Sequence, residues 1–275
     1  MSHNPAFWRP VPGAVPEVRA GLRLVPGAGA SPAEPVSLSV VVPVCSEVEN
    51  VLPLAREVAA ALSGSSFELI FVDDGSTDGT ADAVRNARRE VPQVRLIRHS
   101  RRSGQSAAVR TGVRAARAEW VATLDGDGQN DPADIPVLLA ARDVARADDA
   151  SVLIVVGHRK TRRDSWLKRV SSRVANGVRS RLLGDGTPDT GCGIKLMHRA
   201  TFLELPFFDH LHRFLPALYQ QQGAHAVSVP VNHRPRIRGR SKYGLNNRLW
   251  VGIVDLFGVI WLRARAKPGI RTTED

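Results

Sequence analysis

Apolar positions fall in short β-branched runs separated by segments of helical spacing. Leu38-Ser39-Val40-Val41-Val42 is apolar at nearly every position and closes at Pro43, which predicts a strand buried on both faces. Val51, Leu54, Val58, Ala61 and Leu62 then recur on one face and predict a helix over 52–62. The alternation continues with strands at Phe67–Val72, Val94–Ile97, Trp120–Leu124 and Val152–Val156. Helices are predicted between them at Thr77–Arg89, Gly104–Ala118 and Pro132–Ala147. Strands and helices in this order imply βαβ crossovers and an α/β fold with a mostly parallel central sheet covered on both faces.

The second half is less regular. Asp164–Leu183 carries Trp166, Leu167, Val170, Val174, Val178 and Leu182 on one stripe of a basic helix. A glycine-rich turn, Asp189-Thr190-Gly191-Cys192-Gly193, leads into a short strand ending at Met197. A helix at Phe214–Gln222, a strand at Ala226–Val231 and a basic loop at His233–Lys242 follow. Residues 1–36, with seven prolines among glycine and alanine, read as a disordered extension. The division expected is that extension, a catalytic domain over 37–243, and an apolar helix with a basic tail over 244–275.

Charge changes the picture. The chain has 38 Lys and Arg against 27 Asp and Glu, a net charge of +11, so its partner is expected to be anionic: nucleic acid, a phosphorylated metabolite or a membrane surface. Its two cysteines, Cys45 and Cys192, have no metal-ligand spacing and fit a reduced, cytoplasmic protein. The first residues lack the pattern of a signal peptide.

The chemistry is expected at two acidic turns, Asp73-Asp74-Gly75-Ser76 and Asp125-Gly126-Asp127-Gly128-Gln129, each directly after a buried strand. Ligands of open α/β sheets bind at the carboxyl ends of the strands. Carboxylates two residues apart suit a hard cation, Mg²⁺ or Mn²⁺, shared with substrate phosphates, although acidic turns are also common as solvated loops. Asp74 or Ser76 can equally serve as a helix cap. Arg102-Ser103-Gly104-Gln105-Ser106 opens a helix whose amino end suits phosphate. A nucleic-acid-binding protein fits the charge equally well, but it leaves both acidic turns unexplained, and no stacking-aromatic module is visible.

Together these segments resemble family-two glycosyltransferases of the GT-A fold, over residues 37–262. Val41-Val42-Pro43-Val44 with Glu47, Glu49 and Asn50 resembles the opening nucleotide-binding strand, with Cys45-Ser46 where the family commonly has Tyr-Asn. Val72-Asp73-Asp74-Gly75-Ser76-Thr77-Asp78-Gly79-Thr80 resembles the second nucleotide motif. The resemblance implies donor contacts at Pro43, Cys45, Glu47, Val72, Asp74, Gly104 and Gln105. Asp125 to Pro132 resembles the metal motif of polyprenyl-phosphate sugar synthases, which implies metal coordination by Asp127 and Gln129 with Asp125 close to the sugar nucleotide.

Gly157-His158-Arg159 resembles the element whose arginine approaches the donor diphosphate, and Asp189–Lys195 resembles the acceptor-side turn. Arg236-Ile237-Arg238-Gly239-Arg240-Ser241-Lys242 resembles the phosphate-binding loop of dolichyl-phosphate mannose synthases and their bacterial relatives. The resemblance therefore implies a metal-dependent, inverting transfer of sugar from a nucleotide donor to a polyprenyl phosphate of dolichyl or undecaprenyl type. Asp125, Asp127, Asp189 and Arg159 would serve the chemistry, and Arg236, Arg240, Ser241 and Lys242 the acceptor phosphate. The alternative is a saccharide or other cell-envelope acceptor. A Gln-x-x-Arg-Trp motif of processive synthases is absent, which favours a single transfer.

Leu249–Leu262 is strongly apolar but short of the roughly 20 residues a membrane span needs, and Asp255 interrupts it. Two tryptophans with Arg248, Arg263, Arg265 and Lys267 suit an amphipathic interfacial helix; packing against the core is the competing arrangement. The chain is thus expected to be peripheral on the cytoplasmic face of a membrane, and an integral membrane partner would carry its product onward.

Overall fold

Val40, Val42 and Val44 point to one face of the first strand, β1 (Leu38–Val44), and Val41 to the other. All four are buried, which is why the strand reads as an unbroken apolar run. The computed structural model describes residues 35–159, 182–184, 186, 187, 189–235 and 245–265, with side chains of the last segment from 252 onward. The basic helix expected at Asp164–Leu183 lies outside these residues apart from its last two positions. So do the N-terminal extension as far as residue 34 and the loop residues Arg236, Arg240, Ser241 and Lys242.

β1 is joined by β2 (Phe67–Asp73), β3 (Val94–Arg98), β4 (Trp120–Thr123), β5 (Val152–Arg159), β6 (Lys195–His198) and β7 (His225–Val231). They form one sheet in the order β3-β2-β1-β4-β6-β5-β7. Every pairing is parallel except those of β6, which runs antiparallel to β4 and β5. Thr123 and Val156 both pair with Lys195, so the carboxyl ends of β4 and β5 meet the amino end of β6 at one edge of the sheet. That reversal was not visible in the alternation of strands and helices.

Among the described residues one face is covered by α1 (Val48–Ala61), α2 (Thr80–Glu90) and α4 (Ile135–Asp148). The other face is covered by α3 (Gln105–Ala115), α5 (Arg199–Glu204), α6 (Leu215–Gln221) and α7 (Leu245–Arg265). α3 lies close because Gly112 faces β1; a Cβ there would sit 2.3 Å from Val41 Cγ1. Element boundaries depart from expectation where side chains override periodicity. α2 starts at Thr80, not Thr77, because Asp78 Oδ1 accepts both the hydroxyl (2.5 Å) and the amide (3.2 Å) of Thr80. β5 runs past Val156 to Arg159 because β7 continues to pair with it as far as Val231.

Asp255, which breaks the apolar run of α7, turns towards the core. Its Oδ2 lies 2.9 Å from His210 Nδ1, and Val259 beside it is fully buried. Ile253, Val254, Phe257 and Trp261 face outwards and are exposed. One stripe of this helix therefore packs on the core, and an apolar stripe stays uncovered. Among the described residues no helix is long and apolar enough to cross a membrane.

At the edge remote from the acidic turns, the 3 % exposed Glu68 ties four segments together. Its carboxylate accepts the Ser39 hydroxyl (2.6 Å) and the Arg117 amide (2.6 Å) and pairs with the Arg95 guanidinium. Truncation would strand these partners, so Glu68→Ala is expected to lower stability by roughly 3 kcal/mol in urea unfolding. Nucleotide binding by the folded fraction should not change.

Candidate active site

The turn after β4 supplies three oxygen-bearing side chains. Asp125 takes its backbone position from the buried Asn130, whose Oδ1 accepts the Asp125 amide at 2.8 Å. The Asp125 carboxylate accepts Gln105 Nε2 from the start of α3 at 2.8 Å. Burial pushes this carboxyl above the usual range, and the Asp127 charge adds to the rise; Lys195, Gln105 and Arg159 oppose it. Asp127 accepts the Gln129 amide at 3.1 Å, which folds the turn back on itself. Gln129 Nε2 donates to the Arg234 carbonyl at 3.4 Å, which leaves its Oε1 as the atom suited to a cation.

The turn is zipped to the end of β7. Asn130 and His233 form an antiparallel bridge, and the Arg234 amide donates to Gln129 O at 2.9 Å. The Arg234 side chain continues the link, donating to Glu57 on α1 at 2.7 Å. The basic loop thus leaves the described structure directly beside the acidic turn.

Opposite lies the turn before β6. Asp189, 7 % exposed, binds Arg159 in a fork, with Nε to Oδ2 at 2.6 Å and NH2 to Oδ1 at 2.9 Å. Burial disfavours the Arg159 charge, but the Asp189 bond and charge outweigh it and hold the guanidinium above its ordinary range. Lys195 is buried beneath, its ammonium donating to the Cys192 carbonyl, and burial pushes it below the ordinary lysine range. Burial pushes the Cys192 thiol up. Gly193 sits directly on Asp125: a Cβ there would lie 2.0 Å from Asp125 Oδ2 and 2.6 Å from Asn130 Oδ1.

On the β1–β2 side, two loops are sewn together. The Ser46 amide donates to Ser76 Oγ at 2.8 Å, with Ser46 at φ +51°, and the Glu47 amide donates to Thr80 Oγ1 at 3.0 Å. Glu47 Oε2 accepts Asn50 Nδ2 at 2.7 Å. Pro43 and Cys45 are half-buried at the end of β1, and Val72 is wholly buried in β2. Asp74 and Gly104, both expected at the nucleotide, are bonded to each other. The Asp74 carboxylate accepts the amides of Ser103 and Gly104, each at 2.8 Å, and meets His99 Nδ1 at 2.8 Å. Asp74 thereby fixes the entry to α3, and those two amides point at it.

The structure therefore gathers Asp125, Asp127, Gln129, Gln105, Arg159 and Asp189 at one edge. Sequence reasoning missed Lys195, Asn130 and His212. His212 Nδ1 lies 2.8 Å from the buried Ser106 hydroxyl, and burial, followed by the charges of Lys195, Arg213 and His210, pushes the imidazole down to about 3. Asn130 and Lys195 were readable as polar residues beside motifs; nothing in the sequence pairs His212 with Ser106 across 106 positions. Among the described residues no cluster of three His, Cys, Asp or Glu is placed to hold a metal unaided. The donor set here is oxygen from one turn, the kind that takes Mg²⁺ or Mn²⁺ together with substrate phosphate.

The mostly parallel sheet, its reversed strand β6 and the acidic turns at its carboxyl edge give the architecture of a GT-A-type fold. The chain belongs to glycosyl transferase family 2, whose family model matches residues 39–205. Dodecaprenyl-phosphate galacturonate synthase of Rhizobium johnstonii is 36 % identical over 86 % of this chain and 71 % of its own length. Undecaprenyl-phosphate 4-deoxy-4-formamido-L-arabinose transferase of Edwardsiella ictaluri is 34 % identical over 76 % of this chain, which spans 63 % of that relative.

Two solved structures share the fold. Glucosyl-3-phosphoglycerate synthase of Mycobacterium tuberculosis, in complex with Mn²⁺, UDP and phosphoglyceric acid, gives a TM-score of 0.61 at 18 % identity, covering 84 % of this chain and 80 % of its own. A mannosyltransferase of Pyrobaculum calidifontis, in complex with GDP-mannose and Mn²⁺, gives 0.60 at 21 % identity, covering 84 % and 65 %.

Gly193→Ala tests the close approach at Asp125. The folded variant is expected to lose about 100-fold in kcat, the scale set by misplacement of a reacting group by an ångström. Steady-state kinetics with circular dichroism as the folding control checks it.

Proposed function

We propose that this chain transfers a sugar from a nucleotide-sugar donor to a polyprenyl phosphate, with inversion at the anomeric carbon and with Mg²⁺ or Mn²⁺. The observation that carries the reading is the placement of the Asp125–Gln129 turn against the Arg159–Asp189 pair at one sheet edge. The two curated relatives, both named for sugar transfer on polyprenyl phosphates, supply the acceptor class. Catalysis is assigned to residues 37–243 and membrane contact to 244–275.

In this reading Asp127 and Gln129 hold the cation, which when bound offsets charge on the leaving diphosphate. An acceptor phosphate with a second pKa of about 6, by analogy with phosphorylated side chains, is already largely anionic and needs little help from a base. Its oxygen attacks the anomeric carbon. The bond from that carbon to the donor phosphate oxygen breaks, and the nucleoside diphosphate leaves with the electron pair. Asp125 orients the donor sugar. Asp189 keeps Arg159 extended towards the donor diphosphate and orients the substrates without serving as an obligatory base. Arg236, Arg240, Ser241 and Lys242 receive the acceptor phosphate. The chain works at the cytoplasmic face of a membrane and hands its product to an integral membrane partner.

The outward stripe of α7 supports the membrane assignment. Ile253, Val254, Phe257 and Trp261 are exposed side by side, with Arg263 and Arg265 at the end of the helix. Detergent-free protein should float with anionic vesicles, and Val254→Asp with Phe257→Asp should reduce the bound fraction about tenfold. Wild-type protein left at the bottom of the gradient would remove the interfacial role.

For the reaction, a panel of labelled nucleotide sugars is incubated with Mg²⁺ or Mn²⁺ and polyprenyl phosphate. Label is expected in the lipid phase only with metal, and not with Asp127→Ala. A donor that is hydrolysed without labelling the lipid would keep the glycosyltransferase and dismiss the acceptor.

A further inference from the structure

Lys195 is the first residue of β6, the reversed strand among those described. It pairs with Thr123 of β4, the strand that delivers Asp125, and with Val156 of β5, the strand that delivers Arg159. Only 3 % exposed, it donates to the Cys192 carbonyl. The neighbouring carbonyl, of Gly193, accepts the Thr123 hydroxyl at 2.8 Å. Two successive carbonyls of the turn are thus held by side chains from β6 and β4. They fix the residue whose missing Cβ admits Asp125.

Charge singles out the same residue. The Arg159 fork neutralises Asp189. Asp125 receives a neutral amide from Gln105 and lies in the field of Asp127, Lys195 and Arg159. Arg159 is committed to Asp189, and Lys195, held at the Cys192 carbonyl, is the more deeply buried of the two cations whose field reaches Asp125. A buried lysine held only by a carbonyl would be costly, because desolvating an ammonium outweighs one neutral hydrogen bond. The charges of Asp125 and Asp189 offset part of that cost, and burial still outweighs them.

We propose that Lys195 is a positioning residue of the transfer reaction: it staples the Asp189–Gly193 turn through the Cys192 carbonyl and so holds Gly193, and the Asp125 carboxylate packed against it, in register for the donor sugar. This rests on the glycosyl-transfer reading above. It separates two duties within the cleft. The β1 and β2 loops and the metal turn bind the nucleoside diphosphate; the Lys195 staple sets the sugar end.

The test compares Lys195→Met, Lys195→Gln and Lys195→Arg with wild type. Transfer to polyprenyl phosphate is measured together with metal-dependent donor hydrolysis in the absence of acceptor, so that a wrong acceptor does not disguise the result. Binding of UDP and GDP with Mn²⁺ is read by calorimetry. Lys195→Met is expected to lose about 100-fold in kcat for both reactions while nucleoside diphosphate affinity stays within about threefold. Lys195→Gln, whose amide nitrogen is one atom nearer the backbone, falls short of the Cys192 carbonyl and should fall nearly as far. Lys195→Arg should recover about tenfold of the loss.

Folded Lys195→Met or Lys195→Gln working at wild-type rates would overturn the proposal. So would a loss of nucleoside diphosphate binding that matched the loss of turnover, which is the pattern of a purely structural lysine. Wild-type protein that hydrolyses donor but labels no lipid dismisses the acceptor class and leaves the lysine comparison readable through hydrolysis.

Discussion

Three carboxylates, Asp125, Asp127 and Asp189, share the carboxyl edge of the sheet, and the low dielectric there makes each ionised group depend on its neighbours. Asp189 is met by the Arg159 fork. Asp125 is met by the Gln105 amide and by the field of Lys195. Asp127, two residues from Asp125 on the same turn, adds its charge to the field at Asp125.

The reversal of β6 is what makes that balance possible. In a wholly parallel sheet the strand beside β4 would present its carboxyl end to the cleft, with its preceding turn at the far edge. With β6 antiparallel, the Asp189–Gly193 turn reaches the cleft and Lys195 enters between β4 and β5. The acidic turn is in turn bridged to the end of β7, so these two segments are held by the same few backbone bonds. Asp74, placed by its motif at the nucleotide, secures the entry to α3, and Gln105 reaches Asp125 from there.

α7 joins the second core cluster through Val259 while presenting Phe257 and Trp261 outwards, and Asp255 faces His210 in the segment that also carries His212. A helix that is apolar on two faces meets two different surroundings. Here the inner one is the protein's own core.

The sequence by itself determined the strands and helices of the first half, because periodicities of 2 and 3.6 are local properties. It also determined the acidic turns, because carboxylates directly after buried strands in an α/β order must lie at one edge. Tertiary structure alone decided the direction of β6, since strand pairing is a non-local choice that four residues, two of them apolar, do not encode. It alone brought His212 to Ser106 and sent Asp74 to the α3 entry, because such bonds join residues far apart in sequence. Lys195 lies between these cases: its place next to a motif was legible, but its burial among Asp125, Asp189 and Arg159 exists only once three strands are paired.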